Sequence, residues 1–135
     1  MHMWNEVLQE NDINKLMLEY GYFHDSCIKE IRYISGAFVN ANLSMVPFNN
    51  DGVLIVVFQR QYTNPTTIEI EFCGLNSLQL KSSKDGYTCE ICGASLVLQK
   101  GLFYWGDSSN IEDFQRYKGT WICSKKIRWR NADEG

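Results

Sequence analysis

From Ser26 almost to the end of the chain, apolar residues recur at every second position, and this alternation constrains the fold more than any other feature. Successive side chains of a strand point to opposite faces of a sheet, so period two in short runs between turn residues specifies half-buried strands. Strands are expected over 26–34, around 39–45, over 53–61, around 68–72 with a bend at Gly74 into 75–81, and over 87–92, 94–99, 102–105 and 120–129. The breaks carry turn chemistry: Ser35-Gly36, the cluster at 47–52, Asn64-Pro65, the stretch ending in Asp85-Gly86, Gly93, and Lys100-Gly101. Connections of about two to six residues cannot hold the crossover of a dozen or more that parallel strands need, so neighbours run antiparallel. Within the pattern, Val39, Ala41, Leu43 and Met45 point inward, with Asn40, Asn42 and Ser44 outward. Val53 to Phe58 is apolar on both sides, the signature of a central strand covered on two faces.

The first twenty residues follow another period. Trp4, Val7 and Leu8, then Ile13, Leu16, Met17 and Tyr20, recur at helical spacing. The register breaks between Leu8 and Ile13, where Asn11 and Asp12 can cap a new first turn, and Gly21 provides a stop. Two short helices or one kinked helix, ending near Tyr20, are expected, with one further helical turn over 111–117. A length of 135 residues with 44% apolar content supports one cored domain. Its parts are a helical cover over 1–21, an antiparallel meander over 26–130 and a polar tail over 131–135. The fold class is α+β, mainly β: a curved open sheet, sandwich or partial barrel with one or two short N-terminal helices packed on it.

Charge and motifs narrow the function classes. Thirteen basic and sixteen acidic residues leave a net charge of −3, which gives no field for gripping a phosphate backbone, so nucleic acid is not the expected partner. Lys125, Lys126, Arg128 and Arg130 interleave with Trp121, Ile127 and Trp129; with that balance they read as a strand kept soluble by its charges. The longest apolar run has six residues, against about 20 for a bilayer span, and no signal peptide is recognisable. Five cysteines, an odd number without an export signal, point to free thiols in a cytoplasmic protein. Phosphate loops, nucleophile elbows and helix-borne zinc motifs are absent from the sequence, so neither an enzyme nor a cofactor is expected.

Three constellations remain. Tyr22-Phe23-His24-Asp25-Ser26 places a His-Asp pair between the helical cover and the first long strand. A His-Asp phosphohydrolase centre gathers several more such ligands, and the chain offers only His2 besides. The pair is therefore either a structural turn, with His24 donating to a nearby carbonyl, or an exposed recognition loop. Cys89-Glu90-Ile91-Cys92 has the spacing of half a zinc ribbon and would need Cys73 and Cys123 as separated ligands. Alternation sends Cys89 and Cys92 to opposite faces of a regular strand, which favours free thiols over zinc. Glu69 and Glu71, two apart on one face, could bind a cation but read as the solvated side of a half-buried strand. Tyr104, Trp105, Trp121 and Trp129 could line a small-ligand cavity between sheet and helix.

Trp4, together with Leu18-Glu19-Tyr20-Gly21-Tyr22-Phe23-His24-Asp25-Ser26-Cys27-Ile28, resembles a group of small bacterial proteins classed with the immunity proteins of polymorphic toxin systems. In that group a helical start leads to an aromatic-His-Asp motif, a small residue and a strand; the likeness spans 4–34, and Cys27 stands where an acid is expected. The resemblance implies a stoichiometric binder that occludes a toxin, with His24 and Asp25 as the transferable positions. A binding module of that kind and a small-ligand binder with an aromatic-lined cavity are the two functions in view.

Overall fold

The computed structural model describes residues 2–47 and 52–134. The alternating runs become β2 (Ser26–Ile34), β3 (Phe38–Val39), β4 (Met45–Val46), β5 (Val53–Arg60), β6 (Thr67–Gln79), β7 (Ser95–Gln99), β8 (Leu102–Gly106) and β9 (Trp121–Asn131). Before them come β1 (Asn5–Val7), α1 (Glu10–Glu19) and a short 3-10 turn over Gly21–Phe23. The main sheet is antiparallel and open, in the order β2-β5-β6-β9-β8-β7. β1 joins it on β9, placing Val7 opposite Ile127. The two ends of the sheet approach each other at one isolated bridge, between Ser26 and Ile91. No helix of the described residues is long and apolar enough to cross a membrane.

Alternation decides which face carries the core. Leu54, Val56 and Phe58 of β5, Ile68, Ile70 and Phe72 of β6, and Ile122, Ile127 and Trp129 of β9 share one buried face with Phe103 and Trp105 of β8. The apolar stripe of α1, Ile13, Leu16 and Met17, closes that face. On the opposite face, Phe114 packs with Trp121 and Cys123 to form a second, smaller cluster.

Several expectations are corrected. Trp4–Leu8 is not helical: its central residues pair as β1 along the part of β9 that β8 leaves free. The break after Leu8 comes from Asp12, whose carboxylate accepts the N–H groups of Leu8 (2.9 Å) and Gln9 (3.1 Å) and so fixes the start of α1. The strand expected around 39–45 does not enter the core. β3 and β4 pair only with each other, and Asn40 Oδ1 closes the turn by accepting from the N–H groups of Asn42 (2.9 Å) and Ser44 (3.0 Å). Alternation is equally satisfied by a ribbon in solvent, since period two does not say whether a face is covered.

β5 is interior, between β2 and β6, but only its Leu54-Val56-Phe58 face is fully buried; Val53, Ile55 and Val57 stay half-buried. The strands expected on either side of Gly74 are one, because Gly74 (φ +63°) and a bulge between Leu75 and Ser77 bend β6 without ending it. Over 87–92 there are only isolated bridges, Lys84 to Tyr87 and Ser26 to Ile91. Over 111–117 there are turns instead of a helix, held so that Ile111, Phe114 and Tyr117 cover Trp121. The expected tail is partly pinned: Asn131 belongs to β9, and the Asp133 carboxylate accepts from the N–H groups of Thr67 (2.7 Å) and Thr66 (3.0 Å). Of the turn cluster at 47–52, residues 48–51 lie outside those described.

Candidate functional site

The His-Asp motif sits on an unusual piece of backbone. Gly21, Tyr22 and Phe23 have φ of +59°, +56° and +63°, a left-handed turn set directly on the end of α1, and Asp25 follows at +55°. For a residue with a Cβ this region costs roughly 1–2 kcal/mol, and three such residues occupy it here. What holds them is packing on one side and backbone pairing on the other. The Phe23 ring is fully buried and meets Tyr20, Phe58 and Trp105 at centroid distances of 5.1, 5.0 and 5.7 Å, all edge-on. The Tyr22 carbonyl accepts from the Ala94 N–H (3.0 Å), and the Asp25 carbonyl from the Gln61 N–H (3.0 Å). Ser26 exchanges both backbone bonds with Ile91 (3.2 and 2.7 Å), and its hydroxyl donates to the Phe23 carbonyl (2.6 Å).

That anchoring leaves Tyr22, His24 and Asp25 on the outside. The His24 and Asp25 side chains are 66% and 44% exposed. His24 Nδ1 lies 2.9 Å from the Cys92 carbonyl, the carbonyl contact expected of it, and Nε2 lies 3.2 Å from Asp25 Oδ2. A neutral imidazole donates from one nitrogen only, whereas the protonated ring can donate to both oxygens.

Arg60 is the residue that sequence reasoning missed. It continues the Leu54-Val56-Phe58 face of β5 and is 92% buried, with 8% of its surface exposed. Its guanidinium stacks on the Tyr20 ring at 4.5 Å and reaches Tyr62 at 5.2 Å, while Nε donates to the Pro65 carbonyl (2.8 Å) and Nη2 to that of Thr63 (3.4 Å). Among the described residues no carboxylate lies within ion-pair distance of it. Burial holds the Tyr20 hydroxyl well above the usual tyrosine range, against the lowering pull of Arg60, and that hydroxyl donates to the Thr66 carbonyl (2.8 Å). Two clefts open beside Arg60 and Asp25. One, of about 400 Å³, reaches Cys27, Gln59 and Glu90; the other, of about 380 Å³, reaches His24, Glu19 and Tyr62. The available signal was a charged residue at the next core position of an alternating strand.

The remaining sequence candidates are dispersed. Trp105, Trp121 and Trp129 are buried, Trp105 and Trp129 in the main core and Trp121 in the second cluster. Tyr104 packs on that second cluster. Cys89 and Cys92 are exposed, Cys73 lies on β6 and Cys123 is buried on β9; among the described residues no three His, Cys, Asp or Glu side chains gather as a metal set. Burial, then the contact with Glu71, pushes the Cys73 thiol up to about 11.

Glu69 and Glu71 are not a free acidic pair. Their carboxylates bind Arg130 (2.9 Å) and Arg128 (2.8 Å) across the β6–β9 ladder, and both guanidinium groups stack on Trp4 at 4.2 Å. Two of the four cations of the basic-aromatic strand are thus paired with carboxylates of β6. Comparison with known proteins finds no matching family model, no matching curated protein and no matching solved structure.

Proposed function

We propose that the protein is a non-enzymatic, stoichiometric protein-binding module of the immunity type, and that the turn at Tyr22–Asp25 is its recognition surface. The observation that carries this reading is the left-handed turn itself. Backbone in a costly conformation, over-determined by a buried phenylalanine and by pairing to two separate segments, 91–94 and Gln61, holds Tyr22, His24 and Asp25 outward in one geometry. A binding surface ordered before its partner arrives avoids the entropy of ordering on contact. Its chemistry suits a protein partner: tyrosine is among the residues in which interface energy concentrates, and Tyr22 and Tyr62, 54% and 71% exposed, both lie at this end of the molecule. The resemblance to immunity proteins adds the class of partner, a toxin domain.

The test is to look for a toxin reading frame beside the gene for this chain and to coexpress its domain with the protein, followed by native mass spectrometry and titration calorimetry. Finding no such frame would itself count against the assignment. A one-to-one complex is expected, with Tyr22→Ala and Asp25→Ala each weakening it by about tenfold or more, the effect of losing roughly 1.4 kcal/mol. A toxin that stays active and unbound, or a complex indifferent to both substitutions, would refute the assignment.

A further inference from the structure

We propose that the free edge of β2 is a self-association surface, and that its occupant is the same edge of a second copy of this chain, paired antiparallel about Ile31. This surface is separate from the turn at Tyr22–Asp25, and the inference does not depend on the function assigned to that turn.

β2 ends the main sheet, with β5 on one side. Which of its backbone groups are free follows from β5. Arg60 donates to the Thr66 carbonyl and the Gly52 carbonyl accepts from Gly74, whereas the Gln61 N–H turns the other way, to Asp25. Bonding alternates along a strand, so the odd residues of β5 serve β2. In the register Glu30 to Val57, Arg32 to Ile55 and Ile34 to Val53, those three β2 residues bond inward. The N–H and C=O groups of Ile31 and Tyr33 therefore face the open edge. Among the described residues the only strand contact on that side is the Ser26–Ile91 bridge at the far end. A cleft of about 410 Å³ separates Ile28–Ile31 from Leu80–Ser83 and Tyr87–Cys89, so the edge remains accessible along its middle.

Natural edges are usually blunted by charge, proline or brevity. This one carries Lys29, Glu30 and Arg32 and a bulge between Ile28 and Glu30, but it is nine residues long, contains no proline and ends in the apolar pair Tyr33-Ile34. Tyr33 and Ile34 are 57% and 54% exposed, and the ribbon that follows exposes Phe38, Val39, Leu43 and Met45 by 53, 52, 85 and 64%. Apolar surface on this scale, beside unpaired backbone, is what strand addition covers.

The charges select the partner. Glu30 and Arg32 flank Ile31 symmetrically, on the face opposite to it. Antiparallel pairing about Ile31 puts Glu30 opposite Arg32 of the second copy and Arg32 opposite its Glu30, at positions where side chains come closest. Moving the axis by one residue either way sets Glu30 against Glu30 or Arg32 against Arg32. Within one chain the two groups meet only at 3.9 Å and are more than half exposed, so the pair is available for exchange.

Sedimentation velocity and light scattering from about 1 to 300 μM, the range suited to a weak edge-to-edge contact, test the proposal on the full chain. A monomer–dimer equilibrium is expected. Glu30→Arg should weaken it by roughly tenfold or more by opposing two arginine pairs, and Glu30→Arg combined with Arg32→Glu should restore it. Both changes are at exposed positions, and an unchanged thermal midpoint verifies the fold. Amide exchange at Ile31 and Tyr33 should slow as concentration rises. A monomer throughout the range overturns the proposal, as does a dimer that the single reversal leaves intact, that the double exchange fails to rescue, or in which the Ile31 and Tyr33 amides exchange independently of concentration.

Discussion

Replacing Tyr22 by glycine should destabilise the protein less than replacing it by alanine, and the same inversion should occur at Phe23. Both substitutions at a site remove the same side-chain packing, so the difference between them isolates the backbone. At an ordinary position glycine is the worse residue by about 0.4–1 kcal/mol, because the unfolded chain gains freedom. At φ of +56° and +63° the penalty that a Cβ brings is roughly 1–2 kcal/mol, and only glycine removes it. The net expectation is an advantage for glycine of about 0.5–1 kcal/mol at each position. Leu18, exposed on α1, supplies the control: there alanine should exceed glycine by about 1 kcal/mol, the helix-interior difference. Urea unfolding followed by the fluorescence of the four tryptophans, extrapolated linearly to water, measures all three pairs. If alanine is the more stable residue at both Tyr22 and Phe23, the turn stores no strain and the argument that it is held for recognition fails. On the proposed reading, Tyr22→Gly and Tyr22→Ala should weaken partner binding alike, since both remove the ring, while their stabilities differ.

Phe58→Ala should cost about 3–5 kcal/mol, since the ring is fully buried between Phe23 and Trp105; a loss under about 1 kcal/mol would contradict its place in the core. Gly119→Ala should destabilise by about 1–3 kcal/mol in the same assay, because the added Cβ would lie 2.5 Å from the Tyr117 hydroxyl and 2.6 Å from the Asp107 carboxylate; wild-type stability would show that this corner yields freely. The Cys73 thiol is protonated more readily folded (about 11) than free (9.0), so its contribution is complete below pH 9 and lost as pH rises through 11. Cys73→Ser should accordingly flatten the fall in stability over that window, and an unchanged slope would dismiss the shift. With iodoacetamide at pH 8, the exposed Cys89 and Cys92 should be alkylated before Cys73 and the buried Cys123; mass spectrometry of timed samples reads the order.

The mainly β antiparallel fold was legible because alternation is a direct consequence of strand geometry. The strand positions of 26–34, 53–60 and 95–106 follow from it almost to the residue. What alternation could not supply is the identity of the surface against which a face lies. Val39, Leu43 and Met45 alternate as cleanly as Ile68, Ile70 and Phe72, yet the first set is in solvent and the second in the core. The difference resides in strand order, which depends on contacts far apart in sequence. The same holds at the N-terminus: three residues at Asn5–Val7 carry too little period to separate helix from strand, and a vacant stretch of the β9 edge decided for strand.

The candidate site was legible in part, and the part that was not shows how position and conformation complement each other. His24 and Asp25 stood out by scarcity, and their exposure follows from a turn that no residue type announces: Gly21 tolerates a left-handed conformation, whereas Tyr22 and Phe23 do not favour it and adopt it because Phe23 is drawn into the core. Arg60 was hidden for the opposite reason. In sequence it is the polar end of an apolar run, and its burial becomes meaningful only when Tyr20 arrives from the end of α1 to lie under its guanidinium. Because Phe23 and Arg60 grip the same end of α1 from two sides, the turn cannot relax without exposing a phenylalanine or stripping a buried cation of its aromatic partner. The shape of the turn is thus fixed by residues of the core.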